Sequence, residues 1–237
     1  MKKLFGLVLL MSSFMLNAQT NTELIKHYEA YYKQMKSQGD MQGIINAMTH
    51  LNVLTPSQAR KDTLAYIYMS EGKYVQALNT IGYERKATDS DIAVEVKAVS
   101  LKAVKQPELA IGLFEEMFKR TPNALVAYEL AELNLQTQKI AEAEKHINYG
   151  LLNSKDDMKK AFYESQQPYE VSLKSAFMYL NALLVYNKDK ENNIDAAVDI
   201  LDAALKASPN FNLTQLTKSE LLRQKQAIQA KTTQPKN

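Results

Sequence analysis

Apolar and small side chains in residues 64–81 follow the 3.6-residue period of two short helices joined by a turn. Leu64, Ala65 and Tyr68 share one helical face, and Gly72 then interrupts the pattern. The period restarts in the following residues Tyr74, Ala77, Leu78 and Ile81. A single helical hairpin cannot bury such a face by itself, so the pattern predicts a stack of hairpins. No stretch alternates apolar and polar residues for long enough to indicate a strand, and we expect an all-α fold.

The same pattern recurs every 33 residues. Counting forward from Ala77 reaches Ala110 and Ala143, and counting backward reaches Ile44. Large apolar residues stand four positions after these anchors: Met48, Ile81, Phe114 and Ile147. Twelve positions before the anchors stand mostly small residues: Tyr32, Ala65, Ala98 and Ala131. Small residues allow two helices to approach closely, and large ones fill the space one turn further on. The repeat therefore predicts helical hairpins that pack in a constant register.

The turn inside each predicted hairpin also keeps this register. Gly39 and Gly72 occupy it in the first two repeats, whereas Lys105 and Gln138 stand there in the next two.

These positions resemble the tetratricopeptide repeat (TPR) family, whose unit is a pair of antiparallel helices of about 34 residues. The second repeat matches best, because seven of its residues fall on characteristic positions of the family: Leu64, Ala65, Tyr68, Gly72, Tyr74, Ala77 and Ile81. Pro56 and Pro122 match the closing proline of the unit, whereas Asp89 and Lys155 replace it in the second and fourth repeats. The resemblance implies an all-α, TPR-like solenoid of helical hairpins.

The predicted domain covers residues 19–230 and contains about five repeats, near residues 25–57, 58–90, 91–123, 124–154 and 173–210. The step from Ala143 to Ala197 is 54 residues, so about 20 residues are additional there. We assign most of them to an insertion at residues 155–172 and expect a polar helix over residues 155–167, ended by Pro168. An amphipathic helix at residues 213–230 is expected to cap the stack, and residues 231–237 to form a disordered tail.

Residues 1–18 are typical of a secretory signal peptide. Lys2 and Lys3 precede an apolar run, and the small residue Ala18 suits cleavage before Gln19. An uncleaved anchor is the alternative and would leave the protein in the same compartment. The sequence has no cysteine, and hence no lipid-carrying cysteine after the signal peptide. We therefore expect an exported protein, periplasmic or secreted, without a stable membrane anchor.

The net charge and the candidate metal ligands argue against nucleic-acid binding, metal binding and catalysis. Without Lys2 and Lys3 the 29 basic residues become 27, against 26 acidic ones, so nucleic acid is not an expected partner. His27, His50 and His146 have no second metal ligand at helical spacing, and we expect them on solvated faces. A loop with oxygens at alternate positions, Asp189, Glu191, Asn193 and Asp195, has Ile194 and Ile200 where a calcium loop needs glycine and glutamate. We predict no metal, no cofactor and no enzymatic activity.

Candidate binding residues follow from the resemblance, because the first helix of each TPR unit faces the concave surface. The corresponding positions here are Glu29, Lys33, Asp62, Tyr66, Met69, Glu95, Val99, Lys102, Tyr128, Glu132 and Leu135. The set has mixed charge and lacks the Lys and Asn clamp that holds a C-terminal carboxylate in some family members. It suggests a site for an extended or helical peptide, held by Tyr66, Met69 and Tyr128, with some positive charge in the partner. The alternative is that these residues solvate the inner face or pack against a neighbouring helix.

The sequence thus favours a non-enzymatic scaffold or adaptor of the bacterial cell envelope. It would bind another envelope protein or a peptide through the concave face or through the insertion at residues 155–172. A receptor for a small ligand, such as a glycan or a cell-wall fragment stacked on tyrosines, is the alternative.

Overall fold

The computed structural model describes residues 21–233, which form helices and one two-stranded sheet. The helices are α1 (residues 21–38), α2 (Met41–Leu54), α3 (Gln58–Ser70), α4 (Tyr74–Ile81), α5 (Asp91–Ala103), α6 (Pro107–Arg120), α7 (Ala124–Gln136), α8 (Ile140–Asn153), α9 (Leu173–Lys188), α10 (Ile194–Ala207) and α11 (Asn212–Thr233). The strands are β1 (Lys159–Phe162) and β2 (Tyr169–Ser172). The predicted signal peptide and residues 234–237 of the predicted tail lie outside the described residues.

None of the helices in the described range has the length and apolar character that a membrane span requires. The chain divides into an N-terminal module that ends at Gln106 and a C-terminal module that begins at Pro107.

The N-terminal module packs its helices in sequence order, with α3 against α2, α4 and α5. Ala65 and Ala77, twelve residues apart, are fully buried in one apolar cluster with Ile81, Ala93 and Val96. A second cluster joins α1, α2 and α3 through Met35, Ile44, Ile45, Met48 and Leu64. The N-terminal module thus has small residues where two helices approach closely and large residues beside them, as the repeat predicts.

Four helix ends confirm the 33-residue register at the level of the backbone. Gly39, Gly72, Lys105 and Gln138 have φ angles of 69°, 70°, 60° and 60°. The N–H of each following residue donates to the carbonyl five residues earlier: Asp40 to Met35 (3.0 Å), Lys73 to Tyr68 (2.8 Å), Gln106 to Leu101 (2.9 Å) and Lys139 to Asn134 (2.8 Å). This left-handed ending satisfies the last carbonyls of a helix and reverses the chain. Lys105 and Gln138 adopt the glycine conformation although they carry a Cβ.

The C-terminal module contains α6 to α11 and the sheet. Its α7 pairs with α8, α9 pairs with α10, and α11 lies against α10. Ala131, Ala143 and Ala197 are fully buried in one large core cluster. Gly150 lies where α8 meets the Phe177 ring of α9, and a Cβ on Gly150 would be 2.0 Å from that ring. Glycine is therefore required at this contact.

The insertion does not form the predicted polar helix. β1 and β2 are antiparallel, with Lys159 opposite Ser172 and Phe162 opposite Tyr169, and Pro168 lies in the connecting loop. Phe162 and Val171 point to the same face and join the core of the C-terminal module. Burial of this face favours strands over a helix, because a period of two places these apolar side chains together.

Helix α11 lies where the capping helix was predicted, but only part of its predicted apolar side is buried. Leu221 is buried, whereas Leu216, Leu222 and Ile228 remain exposed. Phe211, directly before the helix, is fully buried instead. The capping role stays a prediction.

Replacing Lys105 by glycine should stabilise the protein. A Cβ in the left-handed region costs about 1 kcal/mol, so Lys105→Gly should raise the free energy of unfolding by about 0.5–1 kcal/mol. Thermal unfolding followed by circular dichroism measures the change. The neighbouring Gln106→Gly is the control, because Gln106 does not have a positive φ. Glycine there only raises the conformational entropy of the unfolded chain, so it should not stabilise the protein. Equal melting temperatures for the two variants would contradict the assignment.

The two helical glycines Gly150 and Gly112 should respond oppositely to alanine. Gly150→Ala forces a methyl group into Phe177 and should destabilise the protein by about 1–3 kcal/mol. Nothing lies within 4 Å of a Cβ at Gly112, so Gly112→Ala should stabilise α6 by up to about 1 kcal/mol. Urea unfolding of both variants measures these changes. A neutral Gly150→Ala would show that α8 and α9 are not held in close contact.

Candidate functional site

The predicted groove residues fall in both modules, and the structure exposes some and buries others. In the N-terminal module, Glu29 and Lys33 on α1 and Glu95 on α5 are exposed, whereas Met69, Val99 and Lys102 are half-buried. Tyr66 on α3 keeps 44% of its surface exposed.

Asp62 was predicted to line the groove, but it is buried and has a structural role. Its carboxylate accepts hydrogen bonds from the Gln58 amide (2.7 Å) and from the Ser90 hydroxyl (2.7 Å). The Ser90 hydroxyl in turn accepts from the N–H of Ala93 (3.1 Å) and begins α5. Asp62 therefore ties α3 to the start of α5 and is not available to a partner. A cavity of about 180 Å³ lies beside this group.

The loop before α5 is held by a buried ion pair. Asp89, which replaces the closing proline of the second repeat, accepts from the Lys97 ammonium at 2.6 Å and from the N–H of Lys86 at 2.8 Å. Lys97 is fully buried and also donates to the carbonyl of Glu84 at 2.8 Å. A buried ammonium with these partners fixes the loop in one conformation, because leaving either charge unpaired would be costly. The loop thereby positions Ser90 for its bond to Asp62.

Ile92 is a surface residue that sequence reasoning missed. It begins the same helical face as Glu95 and Val99, at the spacing i, i+3 and i+7, and keeps 45% of its surface exposed. That helical spacing could have identified Ile92 from the sequence alone. Met69 packs against the apolar cluster of Ala65 that also includes residues of α5, so α3 and α5 lie side by side. The N-terminal module therefore presents Tyr66 and Ile92 on the first helices of two successive repeats.

In the C-terminal module, the structure differs most from the prediction at Tyr128. It was expected on an open groove, but only 1% of its surface is exposed. The Lys160 ammonium of β1 lies 4.6 Å from the centre of the Tyr128 ring and 2.7 Å from the Glu129 carboxylate. The Phe177 ring packs edge-on against Tyr128 at 5.5 Å. Lys160 of the chain's own hairpin and Phe177 of α9 thus contact the residue of α7 that the sequence assigned to a partner.

Three phenols of the C-terminal module, Tyr128, Tyr169 and Tyr179, have raised pKa values, and we call them the tyrosine cluster. Burial, followed by the nearby Glu132 and Glu129, raises the pKa of Tyr128 well above its usual value. Burial and the hydrogen bond to Glu164 raise the pKa of Tyr169 to about 12. Burial also raises the pKa of Tyr179. All three phenols are therefore neutral at physiological pH.

Aromatic contacts attach the hairpin to α9 and to the start of α11. Phe162 stacks on Tyr169 at 5.7 Å, and both rings contact Phe211. The Tyr169 hydroxyl donates to Glu164 and accepts from the N–H of Leu213 at 3.2 Å. Tyr179 contacts Phe211 from α9 at 5.5 Å.

The remaining predicted positions on α7 differ in exposure. Glu132 is half-buried beside the tyrosine cluster. Leu135 is buried in the core, so it is not a contact for a partner.

The histidines and the calcium-like loop give no site of their own. His27 and His50 are exposed, as expected, but His146 is buried edge-on against Phe118 at 5.1 Å. Desolvation and then Lys145 lower the pKa of His146. Asp189 accepts hydrogen bonds from Asn192 and Glu191 within its own loop. Within the described residues no group of three or more acidic or histidine side chains is arranged to hold a metal ion.

No protein-family model and no curated protein sequence matches this chain. Among solved structures, YrrB, described as a TPR protein with an unusual peptide-binding site, is similar with a TM-score of 0.64 and 14% identity. The match covers 87% of this chain and 97% of YrrB. A TPR protein from Parabacteroides merdae has a TM-score of 0.60 and 18% identity over 88% of this chain and 75% of its own. The chain has the fold of the TPR proteins, as the sequence predicted.

Proposed function

We propose that this chain is a non-enzymatic scaffold that binds a protein or peptide through the first helices of its N-terminal repeats. The TPR fold supports this proposal, and so does the peptide-binding site described for YrrB. The observation that carries it is the exposure of Tyr66 and Ile92. The other large apolar side chains of α3 and α5 are buried or half-buried, so these two stand out as unburied apolar surface on successive repeats.

The exposed residues also indicate the chemistry of the partner. An aromatic and a β-branched side chain on adjacent first helices suit apolar anchors of a peptide, and tyrosine is enriched among residues that dominate binding energy. Glu95, one turn from Ile92 on the same face, is placed to attract a basic residue. The partner we propose is therefore a segment with apolar anchors and some positive charge.

The proposed location is the bacterial cell envelope. It rests on the signal-peptide pattern of residues 1–18. The partner would then be another envelope protein, and the exported chain would begin at Gln19.

Truncating the exposed pair should weaken partner binding without changing the fold. The tagged protein is purified from the envelope fraction of its native cells, its partner is identified by mass spectrometry, and binding is measured by calorimetry. We expect Tyr66→Ala combined with Ile92→Ala to reduce affinity on the order of tenfold or more, since each removes a contact of about 1 kcal/mol or more.

Val75→Ala is the matched control. Val75 is similarly exposed but lies on α4, the second helix of its repeat, so its truncation should leave affinity unchanged. Unchanged affinity in the double variant, with an intact circular-dichroism spectrum, would contradict the proposed face. The mass of the exported protein checks the predicted N-terminus at Gln19.

A further inference from the structure

Helices α1, α2 and α3 of the N-terminal module border a cavity of about 310 Å³. Met48 and Leu51 of α2 line it and are buried, and the half-buried Tyr32 lines it from α1. Ala59 and Thr63 of α3 are exposed and line its open side. Protein cavities that bind small ligands have volumes from about 300 Å³ upward and mostly apolar linings with a few polar groups. The volume and the lining of this cavity fit that description.

Arg60 of α3 is the charged residue of the lining, and its guanidinium is fixed along one edge. Its Nη1 donates to the carbonyls of Leu51 at 2.9 Å and Thr55 at 2.7 Å, and to the Thr55 hydroxyl at 3.3 Å. The Nε–H and Nη2–H groups have no partner among the described residues. Two parallel donors on one edge of a guanidinium match the two oxygens of a carboxylate. Arg60 therefore presents a fixed and unused anion-binding edge.

No carboxylate in the described part of the chain pairs with Arg60. Asp62, two residues further along α3, is buried and accepts instead from Gln58 and Ser90. A guanidinium that is already fixed at one edge has lost part of its rotamer freedom, so binding an anion costs less entropy. The apolar lining and this edge together suit a ligand with a hydrocarbon part and one carboxylate.

We propose that this cavity binds a small apolar carboxylate, an acyl or aryl acid, with its hydrocarbon part against Met48 and Leu51 and its carboxylate on the Nε and Nη2 groups of Arg60. The inference does not depend on the proposed function. It gives the chain a ligand site besides the face of Tyr66 and Ile92.

A free acid fits this lining better than the end of a peptide does. The lining includes no asparagine or glutamine that could bond a peptide group, and the Thr63 hydroxyl already donates to the Ala59 carbonyl at 2.9 Å. A peptide group buried here without a partner would lower the affinity.

The test titrates 3-phenylpropionate into the full chain and compares it with 3-phenylpropanamide, which has nearly the same shape but no charge. Calorimetry gives the dissociation constants. NMR spectra of the protein labelled with ¹³C at its methionine methyl groups locate the binding, because Met48 lines the cavity. The variant Met48→Leu assigns that signal.

We expect 3-phenylpropionate to shift the Met48 signal and to bind on the order of tenfold more tightly than the amide, since hydrogen bonds between charged groups are the stronger ones. Arg60→Gln should remove this difference by weakening the binding of the acid alone. Lys61→Gln is the matched control, because it makes the same charge change at an exposed neighbour that does not line the cavity. It should change the dissociation constant by less than about twofold.

Thr63→Phe is the second variant, because Arg60→Gln also removes the bonds to the carbonyls of Leu51 and Thr55. It keeps Arg60 and places a ring at the open side of the cavity. With Thr63→Phe, 3-phenylpropionate should no longer shift the Met48 signal.

Equal weakening by Arg60→Gln and Lys61→Gln would overturn the site, since the effect would then be one of net charge alone. Equal binding of the acid and the amide by the unmodified protein would overturn it too, as would an undiminished Met48 shift in Thr63→Phe. A third probe, N-acetyl-alanyl-phenylalanine, contradicts a small-acid site if it binds and 3-phenylpropionate does not. The face of Tyr66 and Ile92 is tested with the native partner, so the two proposals fail separately.

Discussion

The packing of this protein depends on close approach between paired helices, and alanine at fixed spacing makes that approach possible. Ala65 with Ala77, and Ala131 with Ala143, are fully buried at positions twelve residues apart in two different repeats. A larger side chain at such a contact would push the helices apart, because protein interiors have little free volume. The left-handed turn between the helices sets the same spacing along the chain. Together they fix which face of each first helix remains outside the core.

The insertion changes the use of that face in the C-terminal module. Its strands are anchored by Phe162 and Val171, and its Lys160 reaches the Tyr128 ring and Glu129 on α7. In the N-terminal module the first helices keep Tyr66 and Ile92 exposed. One sequence repeat therefore yields an open face in one module and a self-occupied face in the other. Lys160, which lies on this face, comes from the insertion outside the repeat.

Local features of the fold were predictable from the sequence, and contacts between distant residues were not. The 33-residue register was readable because helix faces and turns involve residues a few positions apart. The burial of Tyr128 was not, since its ring contacts Lys160 of β1 and Phe177 of α9, which lie far from it in the sequence. Asp62 was assigned to a groove because its register was correct, but its bond to Ser90 spans 28 residues. Ile92 could have been found from its helical spacing.

Chemical nitration of tyrosines by tetranitromethane, mapped by mass spectrometry on the native protein, tests the self-occupied face most directly. Our account predicts that Tyr66 and the exposed hairpin residue Tyr163 are modified. Tyr128 should remain unmodified until the protein unfolds, because its ring is buried and its pKa is raised. Nitration of Tyr128 at the rate of Tyr66 in the folded protein would contradict the account, since it would show that the Tyr128 face of α7 is open to solvent.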